Sequence, residues 1–373
     1  MKKKAQHRKI PLLGEIALFH FTLLFVFLHV VCAPFGNIFE AAVVLLAFGG
    51  FFAFAFLPIP LAYSILYLLD DVLGWYEKSI VICWVLVPFL VIYFLYVVFD
   101  TTHLQVVDSG PIPPRNWLEE IARNAAECWI DYLPSFDCIP WDDDAKLDPT
   151  KQYIFALHPH GVHCFALAAL QISSSCFHRR FPGLYNAKLS GLGATVLFKI
   201  PVVREMFFML GYIDARRAVA SKALKAGQSL YLVPGGEEES VLTTNGKDIV
   251  VLKKRKGFIR LALSYGIPLV PIFAVGCTDA YKTYPSILQG PRLFLQKKFG
   301  IALPIFHGRW FITPLAYPVP IKLLVGKPIE APKPKLIGAK PDQDLVDVYH
   351  QKYMQALAGM HARHVKDRVL EIR

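Results

Sequence analysis

An α/β body behind an N-terminal transmembrane helical anchor is the fold class the sequence predicts, and two observations predict it. The first is uneven hydropathy. Of 373 residues, 54% are hydrophobic and 18% charged, against about 25% charged in typical soluble domains, and the apolar excess is concentrated in residues 1–100. The second is a set of short apolar runs further along, at residues 153–157, 229–233 and 269–275, each meeting Pro or Gly within two residues of its end. Runs of this length, rich in aromatic and β-branched residues, fit strands buried on both faces.

The anchor comes first in the chain. Residues 1–9 are basic, and residues 16–33 form an apolar run of eighteen interrupted only by His20, Thr22 and His29. A basic start before such a run also fits a signal peptide cut after Ala33, but Pro34 and the continuing apolar sequence favour a retained helix. Residues 41–69 are apolar but broken by Gly49-Gly50 and by Pro58 and Pro60. Each half is shorter than the roughly 20 residues of a straight span, so a re-entrant or kinked segment is expected. Residues 80–99 then give twenty nearly uninterrupted apolar residues with Trp84, Tyr93 and Tyr96, a second span. With the basic terminus cytosolic by the positive-inside rule, two spans leave the body cytosolic, whereas three would put it in the lumen. The even count is preferred.

Residues 101–150 read as a linker and interfacial segment. Pro, Gly and Ser crowd residues 108–114, and Asn116 can cap an amphipathic helix running to about Leu133, suited to core packing or to a membrane surface. Asp142, Asp143, Asp144 and Asp148 lie in a polar loop with no partner motif for a metal.

Charge narrows the partners. Residues 1–100 hold six basic and six acidic residues, so the net charge of +11 belongs to the remainder. A basic body fits nucleic acid, an anionic membrane surface or an anionic substrate. No finger spacing or recognition-helix pattern occurs and the basic residues are dispersed, which sets nucleic acid aside. The seven cysteines are odd in number and include no CxxC pair, indicating neither a disulfide framework nor a zinc site.

Within residues 151–373 the chemistry gathers at turns. The first strand ends in His158-Pro159-His160-Gly161. One His at a strand end can merely satisfy a carbonyl, but two flanking Pro at the carboxyl end of a buried strand stand where open α/β sheets keep their chemistry. An imidazole titrates near neutrality and can take a proton from an alcohol. Residues 163–176, mostly small and apolar, read as one helix on the sheet. The second strand ends in Pro234, Gly235 and Gly236 before Glu237, Glu238 and Glu239, and Gly N–H groups there can approach an anion or an oxyanion. Lys253, Lys254, Arg255 and Lys256 lead into a helix carrying Arg260, a solvated face or a phosphate patch. Pro271 suggests an edge or irregular position for the third strand. Residues 321–325 look like a further strand, and residues 344–369 read as a closing amphipathic helix.

Taken together, His158-Pro159-His160-Gly161, Phe181-Pro182-Gly183, Val203-Arg204-Glu205, Gly235-Gly236 with Glu239, Arg255-Lys256-Gly257-Phe258, Leu269-Val270-Pro271-Ile272, Phe306-His307-Gly308-Arg309 and Val325-Gly326 with Pro328-Ile329 resemble the type 2 diacylglycerol acyltransferase family in order and spacing. The resemblance covers about residues 150–373. Gly276-Cys277-Thr278-Asp279 departs from the family's usual Gly-Glu-Asn-Glu, and the apolar third is longer than its usual pair of segments.

The resemblance implies a glycerolipid-acyltransferase-like mixed sheet with flanking helices in a catalytic domain at 151–373. It implies an enzyme of the endoplasmic reticulum membrane and lipid droplet surface that moves a fatty acyl group from acyl-CoA to diacylglycerol. Monoacylglycerol or a long-chain alcohol is the alternative acceptor, and a catalytically silent lipid-binding protein the non-enzyme alternative; a homo-oligomer is left open. No bound cofactor or metal is expected, acyl-CoA being a co-substrate. Those relatives carry His-x4-Asp, but the corresponding positions here hold His163 and Phe165. Glu239 is therefore the candidate to orient the imidazole of His160, the expected base, with His158 close behind it. Gly235, Gly236 or His158 is expected to donate to the oxyanion, and Arg255, Lys256 and Arg260 to bind the CoA phosphates.

Overall fold

A computed structural model describes residues 92–106 and 130–373, apart from short stretches within those bounds. The expected spans and re-entrant segment at 16–69, most of the span at 80–99, and all but the last turn of the helix expected at 116–133 lie outside the described residues. Among the described residues no helix is long and apolar enough to cross a membrane.

The strands are β1 (Phe136–Ile139), β2 (Ile154–His158), β3 (Leu189–Gly193), β4 (Tyr212–Asp214), β5 (Ser229–Leu232), β6 (Asp248–Val250), β7 (Leu269–Val275), β8 (Lys282–Thr283), β9 (Phe306–His307), β10 (Ile321–Val325) and β11 (Leu370–Ile372). Seven form one mixed sheet in the order β1-β10-β7-β2-β5-β3-β4. β7, β2, β5, β3 and β4 run parallel, so their carboxyl ends share one edge. β10 is antiparallel to β7, and β1 is parallel to β10. β6 pairs with β11 and β8 with β9 outside this sheet.

The helices are α1 (Ala168–Gln171), α2 (Cys176–Arg180), α3 (Val203–Met209), α4 (Arg217–Lys225), α5 (Gly236–Leu242), α6 (Gly257–Tyr265), α7 (Gln289–Phe299) and α8 (Gln343–His364). Successive side chains of a strand point to opposite faces, and β2 shows it. Phe155 and Leu157 join a core with Ala169 and Leu170 of α1, Phe177 of α2 and Phe207 of α3. Ile154 and Ala156 join another with Val219 of α4, Ile259 of α6 and Tyr353 and Leu357 of α8. Burial on both faces is why the run at 153–157 contains no polar residue.

Three local expectations change. Pro271 lies in β7, a central strand between β10 and β2. It is tolerated because its missing N–H falls where β10 stops: the Gly326 N–H still donates to the Pro271 carbonyl at 2.8 Å. A Cβ on Gly326 would stand 2.7 Å from the Pro271 ring, so only glycine leaves room there. The single helix expected at 163–176 is instead a 3-10 turn at Phe165–Leu167, α1, and a fresh start at α2 capped by the Ser175 hydroxyl. The closing helix ends at His364, after which the chain adds β11 beside β6.

α8 is tied across the molecule. Asp342 caps it, the Tyr353 hydroxyl donates to the Ala156 carbonyl at 3.1 Å, His350 Nε2 meets the Leu252 carbonyl at 2.9 Å, and His361 Nε2 meets Asp248 at 2.8 Å. Gly326→Ala should lower stability by about 1–3 kcal/mol through overpacking against Pro271. Denaturant unfolding of the variant and the parent chain checks this.

Candidate active site

β2 carries His158 to its last position, and the chain then turns through Pro159, His160 and Gly161, with the His158–Pro159 peptide cis. Gly161 has φ +67°, and a Cβ there would stand 3.3 Å from the Cys277 carbonyl, so the turn needs glycine on both counts. His158 and His160 differ in setting. His158 is fully buried, its ring 6.0 Å from that of Tyr353 and its Nδ1 3.5 Å from Glu239 Oε1. His160 is partly exposed, with Nδ1 3.0 Å from the Gly161 carbonyl.

A carbonyl oxygen only accepts, so Nδ1 of His160 must carry the hydrogen and Nε2 the lone pair. Dense surroundings push the His160 pKa below its ordinary value, partly offset by the Gly161 carbonyl and by Glu239. The neutral, proton-accepting ring is therefore the resting form near neutral pH.

Glu239 is the joint of the site. Its carboxylate is buried: Oε2 accepts the main-chain N–H of His160 at 2.7 Å and Oε1 that of Val251 at 2.8 Å. The expectation that it holds the ring of His160 is thus corrected, because it holds that residue's backbone. A second tie runs alongside, the Ser240 hydroxyl donating to the Val162 carbonyl at 3.0 Å. Gly235 makes space for this arrangement, since a Cβ on it would fall 1.9 Å from Glu239 Oε1. Gly236 opens α5 at φ +54° with nothing within 4 Å of a Cβ, and its N–H donates to the Val233 carbonyl at 3.1 Å. That donor is spent on the turn and does not face a reaction centre. His158, sealed beneath the loop, is likewise no oxyanion donor.

The basic residues divide. Arg255 pairs with Glu238 of α5 at 2.9 Å, on the helix that bears Glu239. Lys256 pairs with Asp347 at 2.6 Å and Arg260 with Gln343 at 3.0 Å, both at the start of α8. The structure therefore brings His158, His160, Glu239, Gly235 and Gly236 together, sets Arg255 beside their helix, and turns Lys256 and Arg260 toward α8. Among the described residues no cluster of three or more His, Cys, Asp or Glu side chains is arranged to hold a metal.

The family model described as Diacylglycerol acyltransferase matches residues 80–371. The chain belongs to the diacylglycerol acyltransferase family. The match begins well before residue 150, so the family extends further toward the N-terminus than the motifs alone suggest. Diacylglycerol O-acyltransferase 2 of Homo sapiens is 33% identical over 304 residues, 76% of this chain and 71% of that protein. The protein of the same name in Dictyostelium discoideum is 32% identical over 295 residues, 74% and 81% of the two chains. Diacylglycerol O-acyltransferase 1 of Schizosaccharomyces pombe is 30% identical over 289 residues, 73% and 77%. The crystal structure of the 1-acyl-sn-glycerophosphate acyltransferase PlsC from Thermotoga maritima covers 95% of this chain and 98% of its own, at 15% identity and a TM-score of 0.37, too low to equate the folds.

Two members of this site, Val251 and Cys277, belong to no motif visible in the sequence, whereas Tyr353 lies in Tyr349-His350-x-x-Tyr353-Met354, which resembles the family's last helix. Val251 and Cys277 act through main-chain atoms, which any residue type supplies. Tyr353 arrives from a helix nearly two hundred residues away, its distance from the Ala156 carbonyl being 3.1 Å. Glu237, next to the joint, has its carboxyl pushed up to about 7 by burial against the opposing pull of Arg255. The loop that departs from the family pattern is a brace: Asp279 accepts the Gly246 N–H at 3.0 Å and pairs with Arg368 at 2.7 Å.

The two glycines make opposite forecasts. Gly235→Ala must expel the Glu239 carboxylate from both N–H groups, and a displaced catalytic loop costs roughly 100-fold in turnover. Gly236→Asn, in a conformation Asn tolerates, should cost only a few-fold. Steady-state acyl transfer by both variants checks the contrast.

Proposed function

We propose that this chain transfers a fatty acyl group from acyl-CoA to the free hydroxyl of diacylglycerol, forming triacylglycerol and releasing CoA. One observation carries the reading: in a chain of this family, the partly exposed His160 offers an unprotonated Nε2 while its backbone is pinned by Glu239. Nε2 takes the acceptor's hydroxyl proton as that oxygen attacks the thioester carbonyl. The tetrahedral adduct then collapses by breaking its carbon–sulfur bond, and the departing thiolate takes the proton back from the ring. No protein nucleophile is involved.

Glu239 and the buried His158 are positioning residues in this scheme. They keep the loop fixed while the imidazole gains and loses charge. Arg255, and Lys256 and Arg260 once drawn from their partners on α8, are assigned to the phosphates of CoA, where guanidinium forks and ammonium groups bind well. The reading carries with it a glycerolipid-acyltransferase-like fold and an N-terminal transmembrane anchor. It also puts the enzyme in the endoplasmic reticulum membrane, its body cytosolic, with access to lipid droplets. The apolar first hundred residues and the basic remainder support these.

His160→Ala should lower CoA release with diacylglycerol by at least about 100-fold, the usual reach of a general base, while leaving membrane insertion intact. Because the folded ring binds its proton less readily than a free one, activity should be sustained as pH falls and its acid limb should lie below the ordinary histidine value of about 6.5. Product analysis with labelled oleoyl-CoA and a panel of diacylglycerol, monoacylglycerol and long-chain alcohol tests both base and acceptor. Full activity of the variant would remove the proposed base, and exclusive labelling of another acceptor would replace diacylglycerol.

A further inference from the structure

β7 runs parallel to β2, so the chain leaving β7 emerges at the edge of the sheet where His158 ends. It passes into β8, and from the β8–β9 stem projects an excursion, residues 284–305, that contains α7. Among its described exposed residues, which include the polar Ser286, Gln289 and Lys298, are three large apolar ones: Ile287 is 47% exposed, Leu288 65% and Phe294 57%. Leu288 also has φ +47°, in the left-handed region that branched apolar residues rarely adopt. Exposed apolar patches of this kind mark interaction surfaces.

The excursion is held firmly to the site. Arg292 is buried and its guanidinium is satisfied by main-chain carbonyls, those of Leu303 at 2.5 Å, Pro285 at 3.1 Å, Ile287 at 3.2 Å and Val241 at 3.1 Å. Val241 belongs to α5, the helix of Glu239. The apolar tip therefore keeps a set distance from the histidine loop.

A second apolar surface rises from the same edge. β3 is parallel to β5, and the turn at Thr195–Lys199 and α3 follow it. They grip the last residues of the twenty-residue apolar run: Tyr93 donates to Glu205 at 2.7 Å, Lys199 to the Asp100 carbonyl at 2.9 Å, and Arg204 pairs with Asp100. On the same short segment Ile92 is 67% and Phe99 73% exposed. A run of that length and composition is suited to hydrocarbon. Next to the other patch, the Lys298 ammonium lies 5.4 Å over the Phe294 ring, a cation beside an apolar face as anionic headgroups require.

We propose that residues 284–299 are a second bilayer contact, in which Ile287, Leu288 and Phe294 enter the boundary between headgroups and acyl chains of an anionic phospholipid bilayer. The mouth of the site is thereby held against the surface from which a lipid acceptor arrives. The assignment of an acceptor rests on the proposed acyl transfer, whereas the contact itself does not.

Two measurements on the full chain in phosphatidylcholine vesicles containing phosphatidylserine test it. Ile287→Trp should show blue-shifted emission and, with brominated acyl chains, a loss of fluorescence beyond that of the parent chain. Ile287→Asn/Leu288→Asn, the second change being one the left-handed region tolerates, should raise KM for bilayer-dissolved diacylglycerol roughly tenfold and leave turnover of a water-dispersed short-chain diacylglycerol within about twofold. No added quenching by Ile287→Trp, or an unchanged KM, overturns the proposal. Loss of self-association in the double variant with vesicle contact intact would give the patch to a second copy of the chain and overturn it too. Quenching reads no chemistry, so quenching without acyl transfer removes only the activity, and transfer without quenching removes only the contact.

Discussion

A carboxylate that is almost wholly excluded from solvent must be given donors where it stands, and Glu239 has them in two main-chain N–H groups, one from His160 and one from Val251. Leaving such a charge without partners would cost several kcal/mol. That requirement fastens the end of β2, the start of α5 and the segment before α6 into one knot, and it dictates glycine at position 235, because the folded-back side chain occupies the space of a Cβ. The reactive histidine is therefore held through its backbone. Its ring is oriented separately by the neighbouring Gly161 carbonyl, which selects the tautomer with a lone pair on Nε2. In a serine-protease triad one carboxylate performs both tasks at the ring; here the two tasks belong to different groups.

The same principle recurs at other buried polar groups. Arg292 donates to main-chain carbonyls on both sides, so it works as a bracket between the excursion at 284–305 and α5. Asp248 receives His361 at 2.8 Å and Thr278 at 3.3 Å, joining β6 to the last turns of α8 and to the loop after β7. Asp100 is held at the end of the apolar N-terminal run by Arg204 and Thr102. Most of these ties, such as Arg204 to Asp100, His361 to Asp248 and Arg292 to Val241, span long stretches of sequence. The sheet positions the histidine loop in coarse terms, and these buried polar contacts determine its final geometry.

Much of the fold was legible in the chain because burial leaves a pattern. A strand covered on both faces is almost wholly apolar, which is why residues 153–157, 229–233 and 269–275 were recognisable, while 321–325 keeps one exposed polar position at Lys322. The closing helix is expected from Leu345, Val348, Tyr349, Leu357 and Met360; of these Leu357 and Met360 are buried in the core, which Val346 and Tyr353 complete, and Val348 is exposed. The misses have equally local causes. Pro271 pointed to an edge or an irregular position because a proline lacks a donor; the strand is central, and the irregularity is the end of the neighbouring strand opposite it, where Gly326 admits its ring. The break between α1 and α2 falls where Gln171 and the three serines Ser173, Ser174 and Ser175 interrupt the apolar run, and Ser175 caps the new start. The closing helix, expected to run to residue 369, stops at His364, and β11 just beyond that range carried no expectation because only its pairing with β6 makes it a strand.

For the site, side-chain chemistry was visible and division of labour was not. The sequence by itself determined which groups are present: two imidazoles bracketing a proline at a strand end, a glycine pair before three glutamates, and a basic approach to a helix. Only the tertiary structure decided that His158 is sealed while His160 reaches solvent, that one glutamate of the three turns inward to grip backbone, and that Lys256 and Arg260 look toward α8. The physical reason is that residue type sets what an atom can donate or accept, whereas burial and partner are set by segments far apart in the chain, brought together by packing on both faces of one sheet.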